Sequence, residues 1–154
     1  MAKAELKEMG VMKIELGEFL EVVSGEGDGI SKGSQLAIGI NALSLKGENV
    51  DASMAMGDAS VSATVIDEGL ATLDVSVTLR TDDGAFVRAN WSGRAYLGEG
   101  LVATAPTFRT ADDRYKWLNR VLAVGAGEED IAAGKLVYRL YDVKLISEPE
   151  LLHS

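Results

Sequence analysis

The chain has 154 residues, 24 acidic and 15 basic side chains, a net charge of −9, no Cys and a single histidine, His153. That length fits one domain over 1–154 with a full core, with 1–10 and 147–154 read as flexible ends. The missing cysteines exclude disulfides, thiolate metal sites and cysteine nucleophiles, and one penultimate His excludes a Ser/His/Asp triad or a polyhistidine centre, so no metal and no cofactor are expected.

In chain order, the first element is ambiguous. Leu6, Met9, Met12, Leu16, Phe19 and Val23 recur at helical steps, while Met12, Ile14 and Leu16 alternate with Lys13 and Glu15. Gly10 and Gly17 would each cost a helix interior about 1 kcal/mol, so a strand is expected over roughly 11–23. Ser24 to Gly33 is Gly-rich and reads as a mobile loop; it lacks the alternating ligands of a calcium loop. Short strands follow at 35–40 and 43–45, then at 60–66 and 70–81, the last two joined by the turn Asp67-Glu68-Gly69. Long strands at 85–97 and 102–109 come next. Thr110-Ala-Asp-Asp113 has capping-box spacing, with Thr110 as N-cap of a short helix through Trp117 and Leu118. Strands at 121–125 and 136–146 close the chain. The expected fold is all-β: an antiparallel closed or nearly closed barrel of about eight or nine strands with one short helical insert, since closure removes exposed edges.

The central hairpin fixes its own register. Leu73 to Thr81 alternates strictly and Ala85 to Leu97 nearly does. A three-residue loop Asp82-Asp83-Gly84, with Gly84 left-handed, sets Leu79 beside Val87, Val77 beside Ala89 and Val75 beside Trp91, apolar against apolar. Asp74, Ser76, Thr78 and Arg80 then share the opposite face with Phe86, Arg88, Asn90, Ser92, Arg94 and Tyr96. One reading makes this face a solvated outer wall, the usual alternation of an antiparallel sheet. The other makes part of it the lining of a pocket inside the barrel or at its mouth.

The halves differ in chemistry. Residues 1–77 hold 5 Lys, no Arg and 13 acids, whereas residues 78–154 hold all seven Arg and eight of the nine aromatics. Arg and aromatic side chains suit a carboxylate, an enolate oxygen or a planar ligand. On the pocket reading Asp74 is the general base, Arg80 and Arg94 stabilise an oxyanion, and Tyr96 donates, with Tyr115 as an alternative donor. Arg88, Asn90, Trp91, Tyr115, Trp117 and Asn119 complete the candidate ligand-binding set. Tyr115, Trp117 and Leu118 also read as a plug packed into one barrel end. Val121-Leu-Ala-Val-Gly-Ala-Gly127 is similar to a strand entering a dinucleotide loop, but it lacks the third Gly, and Glu128-Glu-Asp130 stands where phosphate would sit.

Several blocks resemble a known family: Thr78-Leu-Arg-Thr-Asp-Asp-Gly-Ala85, Pro106-Thr-Phe-Arg-Thr110, Arg114-Tyr-Lys-Trp-Leu-Asn-Arg120, Val124-Gly-Ala-Gly-Glu128 and Tyr138-Arg-Leu-Tyr-Asp-Val143, with Leu16-Gly-Glu18 near the start. They resemble the uncharacterised domain-of-unknown-function family 3237, in order and spacing from about 70 to 143. The resemblance implies a compact β-barrel and no established activity; Arg80, Asp82, Asp83, Trp117 and Asn119 are the matching polar or aromatic positions. The chain departs from the family at Gly57-Asp58, which lacks a neighbouring Trp, and at Arg88-Ala-Asn-Trp-Ser92.

Three functions are expected in order. The first is a cofactor-independent isomerase, cyclase or lyase working through an enolate on a hydrophobic oxygenated metabolite, such as a phenolic or polyketide-like carbonyl compound. The second is a non-catalytic binding protein for a small hydrophobic, carboxylated or phenolic molecule. The third is an assembly protein with a filled barrel and an exposed apolar patch. The negative charge argues against nucleic acid and membrane partners, and a homodimer is compatible with all three. No signal-peptide run opens the chain, so a cytoplasmic protein is expected.

Overall fold

Strands β5 (Leu70–Thr81) and β6 (Phe86–Tyr96) form the hairpin with Leu79 opposite Val87, Val77 opposite Ala89 and Val75 opposite Trp91. Gly84 sits at φ +93°, the left-handed conformation that this three-residue turn requires. Val77 and Ala89 are fully buried, while Asp74, Arg80, Arg88, Asn90 and Arg94 are exposed. The apolar face of the hairpin is therefore the inside, and the polar carpet is the outer wall.

The computed structural model describes residues 1–57, 59–130 and 132–148. Around the hairpin run β1 (Ala2–Val23), β2 (Gln35–Lys46), β3 (Asp51–Met54), β4 (Ser60–Asp67), β7 (Leu101–Thr104), β8 (Thr107–Arg109), a 3-10 helix (Asp113–Arg120), β9 (Ala123–Asp130) and β10 (Lys135–Ser147). Pairing passes from β5 through β4, β2, β1, β10, β9, β7 and β6 and returns to β5, a closed antiparallel ring of eight strands. The expected all-β architecture with one short helical insert is what the chain adopts.

Two ring positions are shared, which raises the strand number to ten. β4 pairs with the first part of β2 and with β5 up to Ser76, and β3 takes over between the far ends of the same two strands. β7 and β8 likewise both lie against β6. The single strand expected over 102–109 breaks because Pro106 has no amide hydrogen; the flanking Ala105 N–H still donates to Ser92 O, and Pro106 O accepts from Ala123 N–H. The two short strands expected at 35–40 and 43–45 are one continuous β2. Four residues of mixed polarity were too short a signal for β3.

β1 settles the ambiguous first element as strand, with Met12 and Ile14 buried at alternate positions. Its glycines sit at the irregularities. A Cβ on Gly10 would lie 2.8 Å from Lys46 O, and the β1–β10 register shifts between Glu8 and Gly10. A Cβ on Gly17 would lie 2.3 Å from Asn41 Oδ1, within a second shift against β2. Strand begins at Ala2 and not at the expected 11: residues 2–6 pair with 143–147 in a two-stranded ribbon beyond the ring, exposing Leu6 and Leu145. Ser147 ends β10; residues 149–154, including His153, lie outside the described residues.

The interior is packed at one end and open at the other. Val77, Leu79, Ala89 and Leu140 are 0% exposed, and Met12, Leu45 and Leu118 are at 1%. The 3-10 helix closes this end by burying Tyr115 and Leu118. Its N-cap is Asp112, whose carboxylate accepts from Arg114 N–H, and not the expected Thr110. Thr110 is engaged elsewhere, its hydroxyl donating to Phe86 O at 2.7 Å.

Candidate active site

At the other end the ring encloses a cavity of about 270 Å³. One side of it is aliphatic, from β1, β2, β4 and β5: Ile14, Leu16, Leu36, Ile38, Val61 and Leu73 among others. The opposite side, built by β6, β9 and β10, carries Trp91, Glu129 and Tyr138. Strand periodicity explains the placement: Gly125, Gly127 and Glu129 point inward from β9, and Leu136, Tyr138 and Leu140 from β10.

The glycines of β9 make room for the aromatic floor. Gly127 pairs with Tyr138, and a Cβ at Gly127 would lie 2.5 Å from Tyr138 Cε1. At Gly125 it would lie 3.4 Å from Tyr138 Cδ1 and 2.3 Å from Thr104 Oγ1. The stretch that is similar to a dinucleotide loop is thus a strand whose missing side chains leave space for a phenol ring. Trp91 meets that ring edge-on, with centroids 6.4 Å apart and planes at 73°.

The polar groups here lack the partners that buried polar groups normally have. Trp91 is 4% exposed, yet among the described residues its Nε1–H has no acceptor, and Thr104 Oγ1 is also buried without a partner. Burial pushes the Glu129 carboxyl above its ordinary pKa, with no cation or donor among the described residues offsetting the shift. Burial also pushes the Tyr138 hydroxyl well above the usual phenol range, and the nearby Glu129 charge adds to that shift. The Trp91 indole acts the other way, though its N–H falls short of hydrogen-bond geometry to the phenol. Glu129, Tyr138 and Trp91 therefore line one apolar space: a half-buried carboxyl, a protonated phenol, and an indole whose covered N–H has no acceptor among the described residues. Such a set can move a proton and hold a developing negative oxygen.

The sequence-derived candidates fall into three places. Trp91 lines the cavity. Asp74, Arg88 and Asn90 line an open groove of about 600 Å³ on the outer wall, with Ser60, Ser62, Ser76, Ser92 and Thr107. There Asn90 accepts from the Ser76 hydroxyl at 2.7 Å, and Arg88 donates to Thr78 Oγ1 at 2.8 Å. Arg94 stands opposite Thr72, so it is a diagonal neighbour of Asp74. Arg80 is six residues along β5 from Asp74, about 20 Å away at strand spacing, and stacks on Phe86 at 5.1 Å. Tyr96 is partly exposed at the end of β6. Asp74, Arg80, Arg94 and Tyr96 thus do not converge on one small molecule.

The remaining candidates gather at the closed end. Tyr115 donates its hydroxyl to the Asp83 carboxylate at 2.9 Å, and Asn119 brackets Thr110 by bonding both its N–H and its C=O. Trp117 is partly exposed beside Lys7, Glu8 and Asp142. Asp83 also accepts from Thr81 Oγ1 and pairs with Arg114, so its carboxyl is held below the usual range, chiefly by the Thr81 and Tyr115 hydroxyls. This network anchors the helix to the turn of the hairpin. Sequence reading missed Glu129 and Tyr138. Extending the inward alternation of Val121, Ala123 and Gly125 by four residues would have placed Glu129 inside. The acidic run Glu128-Glu129-Asp130 served there only as an argument against a bound phosphate.

Part of this chain also has a recognisable family signature. Residues 98–143 match the family model Protein of unknown function (DUF3237). Four of the blocks that resemble DUF3237, from Pro106 to Val143, fall inside this span, together with Glu129 and Tyr138; Leu16–Glu18 and Thr78–Ala85 lie outside it. No curated protein matches the chain. Among solved structures, a conserved protein of unknown function from Rhodopseudomonas palustris is similar, with TM-score 0.78 and 22% identity over 92% of this chain and 99% of that one. A beta-barrel-like protein from Acinetobacter baumannii has TM-score 0.77 and 21% identity, over 92% and 97%. An enzyme from Penicillium herquei has TM-score 0.67 and 20% identity, over 93% and 95%. At these identities the likeness is one of fold. Among the described residues no helix is long and apolar enough to cross a membrane.

Proposed function

We propose that the protein is a cofactor-independent enzyme that isomerises, cyclises or eliminates a small hydrophobic carbonyl or phenolic compound within the ring. The observation that carries this reading is the Glu129 carboxyl in one apolar cavity with Trp91, whose N–H has no acceptor among the described residues. Glu129, ionised, takes a proton from the carbon next to the carbonyl. The C–H electron pair becomes the enolate double bond, and the carbonyl electrons move onto oxygen. The Trp91 N–H stabilises that oxygen, with the Tyr138 hydroxyl as second donor. Glu129 then returns the proton at another position, so no oxidant or reductant is consumed. Burial supports the role of base, because a raised pKa makes the ionised carboxyl a stronger one.

A cavity of this size favours small-molecule readings over an assembly protein, for which a filled interior is expected. That an enzyme from Penicillium herquei has this fold is compatible with chemistry inside the ring. The test is proton NMR in D₂O with a panel of phenols, β-dicarbonyls and lactones. Loss of an α-proton signal with the wild type, reduced at least a hundredfold in Glu129→Gln, is the expected result. Equal exchange by the variant would remove Glu129 as the base. Line broadening without exchange across the panel would leave a binding protein.

A further inference from the structure

The cavity has a lopsided inventory of charge. Among the described residues that line it, Glu129 is the one ionisable group of either sign apart from the Tyr138 phenol; no Lys, Arg or His faces it. The arginines expected to hold a carboxylate lie on the outer wall, separated from the cavity by the sheet. A carboxylate entering the ring would lose its hydration against aliphatic walls and meet Glu129 with no counter-charge. A cation would pair with Glu129 but leave the Trp91 N–H facing another donor. An uncharged oxygen acceptor, by contrast, satisfies that N–H once the side chains covering it shift, and its apolar body fits the aliphatic side. Size adds a second limit: at about 30 Å³ per water-sized group, the volume holds on the order of ten non-hydrogen groups.

Resting on the reading that this cavity is the substrate site, we infer that it takes a compact uncharged ketone or phenol of one or two rings, its oxygen on the Trp91 N–H, and refuses the carboxylate of the same shape. Specificity follows from the missing cation as much as from the apolar walls.

The test uses three probes of equal size: 4-methylacetophenone, 4-methylbenzoate and 4-methylbenzamidinium. Binding is followed near neutral pH by the two indole N–H resonances of the ¹⁵N-labelled protein, with the exposed Trp117 as internal reference. The expected result is at least tenfold tighter binding of the ketone than of the carboxylate, with the Trp91 resonance shifted and the Trp117 resonance unmoved. Glu129→Gln should shrink the gap severalfold, and Trp91→Phe should weaken the ketone about fivefold or more, the loss of one hydrogen bond. If Trp91→Phe does not fold, Glu129→Gln and the wild-type shifts decide alone. Equal or tighter binding of the carboxylate, tighter binding of the amidinium, a bound ketone that leaves Trp91 unmoved, or no binding by any probe would each overturn the inference. Deuterium exchange into the ketone methyl group is read separately. A bound ketone without exchange counts against enzymatic enolisation while preserving the selectivity, and exchange alongside a preferred carboxylate does the reverse.

Discussion

A methyl group at Gly127 would lie 2.5 Å from Tyr138 Cε1, so Gly127→Ala drives the phenol toward the cavity. Overpacking of this kind costs about 1–3 kcal/mol. Thermal denaturation should show that loss, and Tyr138→Leu in the same chain should recover part of it, because the clash needs both partners. Glu129 gives a second prediction, with an unusual sign for a carboxylate. Its folded pKa is raised by burial, so the native state holds the proton more tightly than the unfolded chain does. Stability from this group is full below its unfolded pKa of 4.5 and falls as pH rises through the folded value. Glu129→Gln should therefore raise the melting temperature at about pH 7 and change it little at about pH 4. Asp83 behaves oppositely. Its folded pKa is lowered by the Thr81 and Tyr115 hydroxyls, so its contribution is present above 3.8 and lost as pH falls through the folded value. The melting difference between wild type and Asp83→Asn should be full at neutral pH and shrink as the pH falls below 3.8.

Among the elements, the central hairpin was the most legible, because two independent signals agreed. The apolar alternation of Val75, Val77 and Leu79 matched that of Val87, Ala89 and Trp91 only with a three-residue turn, and Gly84 could supply its left-handed residue. Gly84→Ala should cost about 1–2 kcal/mol, measured by chemical denaturation, although open space surrounds the position. The 3-10 helix was legible in place but not in capping. Asp112 and Thr110 can both accept from a helix N-terminus, and a long-range bond from Thr110 to Phe86 O decides between them. Its packing is testable too: Leu118 is 1% exposed, and Leu118→Ala should cost about 2–5 kcal/mol. The candidate site was the least legible part. Alternation says that two faces differ, and the polar face of the hairpin was the conspicuous one. Which face encloses a cavity depends on how strands far apart in sequence close into a ring. Glu129 was hidden in an acidic run, and Tyr138 needed the glycines of a neighbouring strand to find its seat.

For the molecule as a whole, closure of the ring depends on its first and last strands, since β1 is the neighbour of β10. Such non-local pairing is slow to form, so folding should take milliseconds to seconds, as stopped-flow fluorescence can check. Ala2 stands opposite Ser147, and the ladder runs antiparallel from there into the ring. The same arrangement sets the response to mechanical load. Tension applied between Ala2 and Ser147 acts across the ladder, at one end of it, and loads its hydrogen bonds one after another. The ribbon would peel like a zipper rather than resist like a sheared lap joint. Pulling with optical tweezers should therefore open the ring at low force, however well its core resists heat.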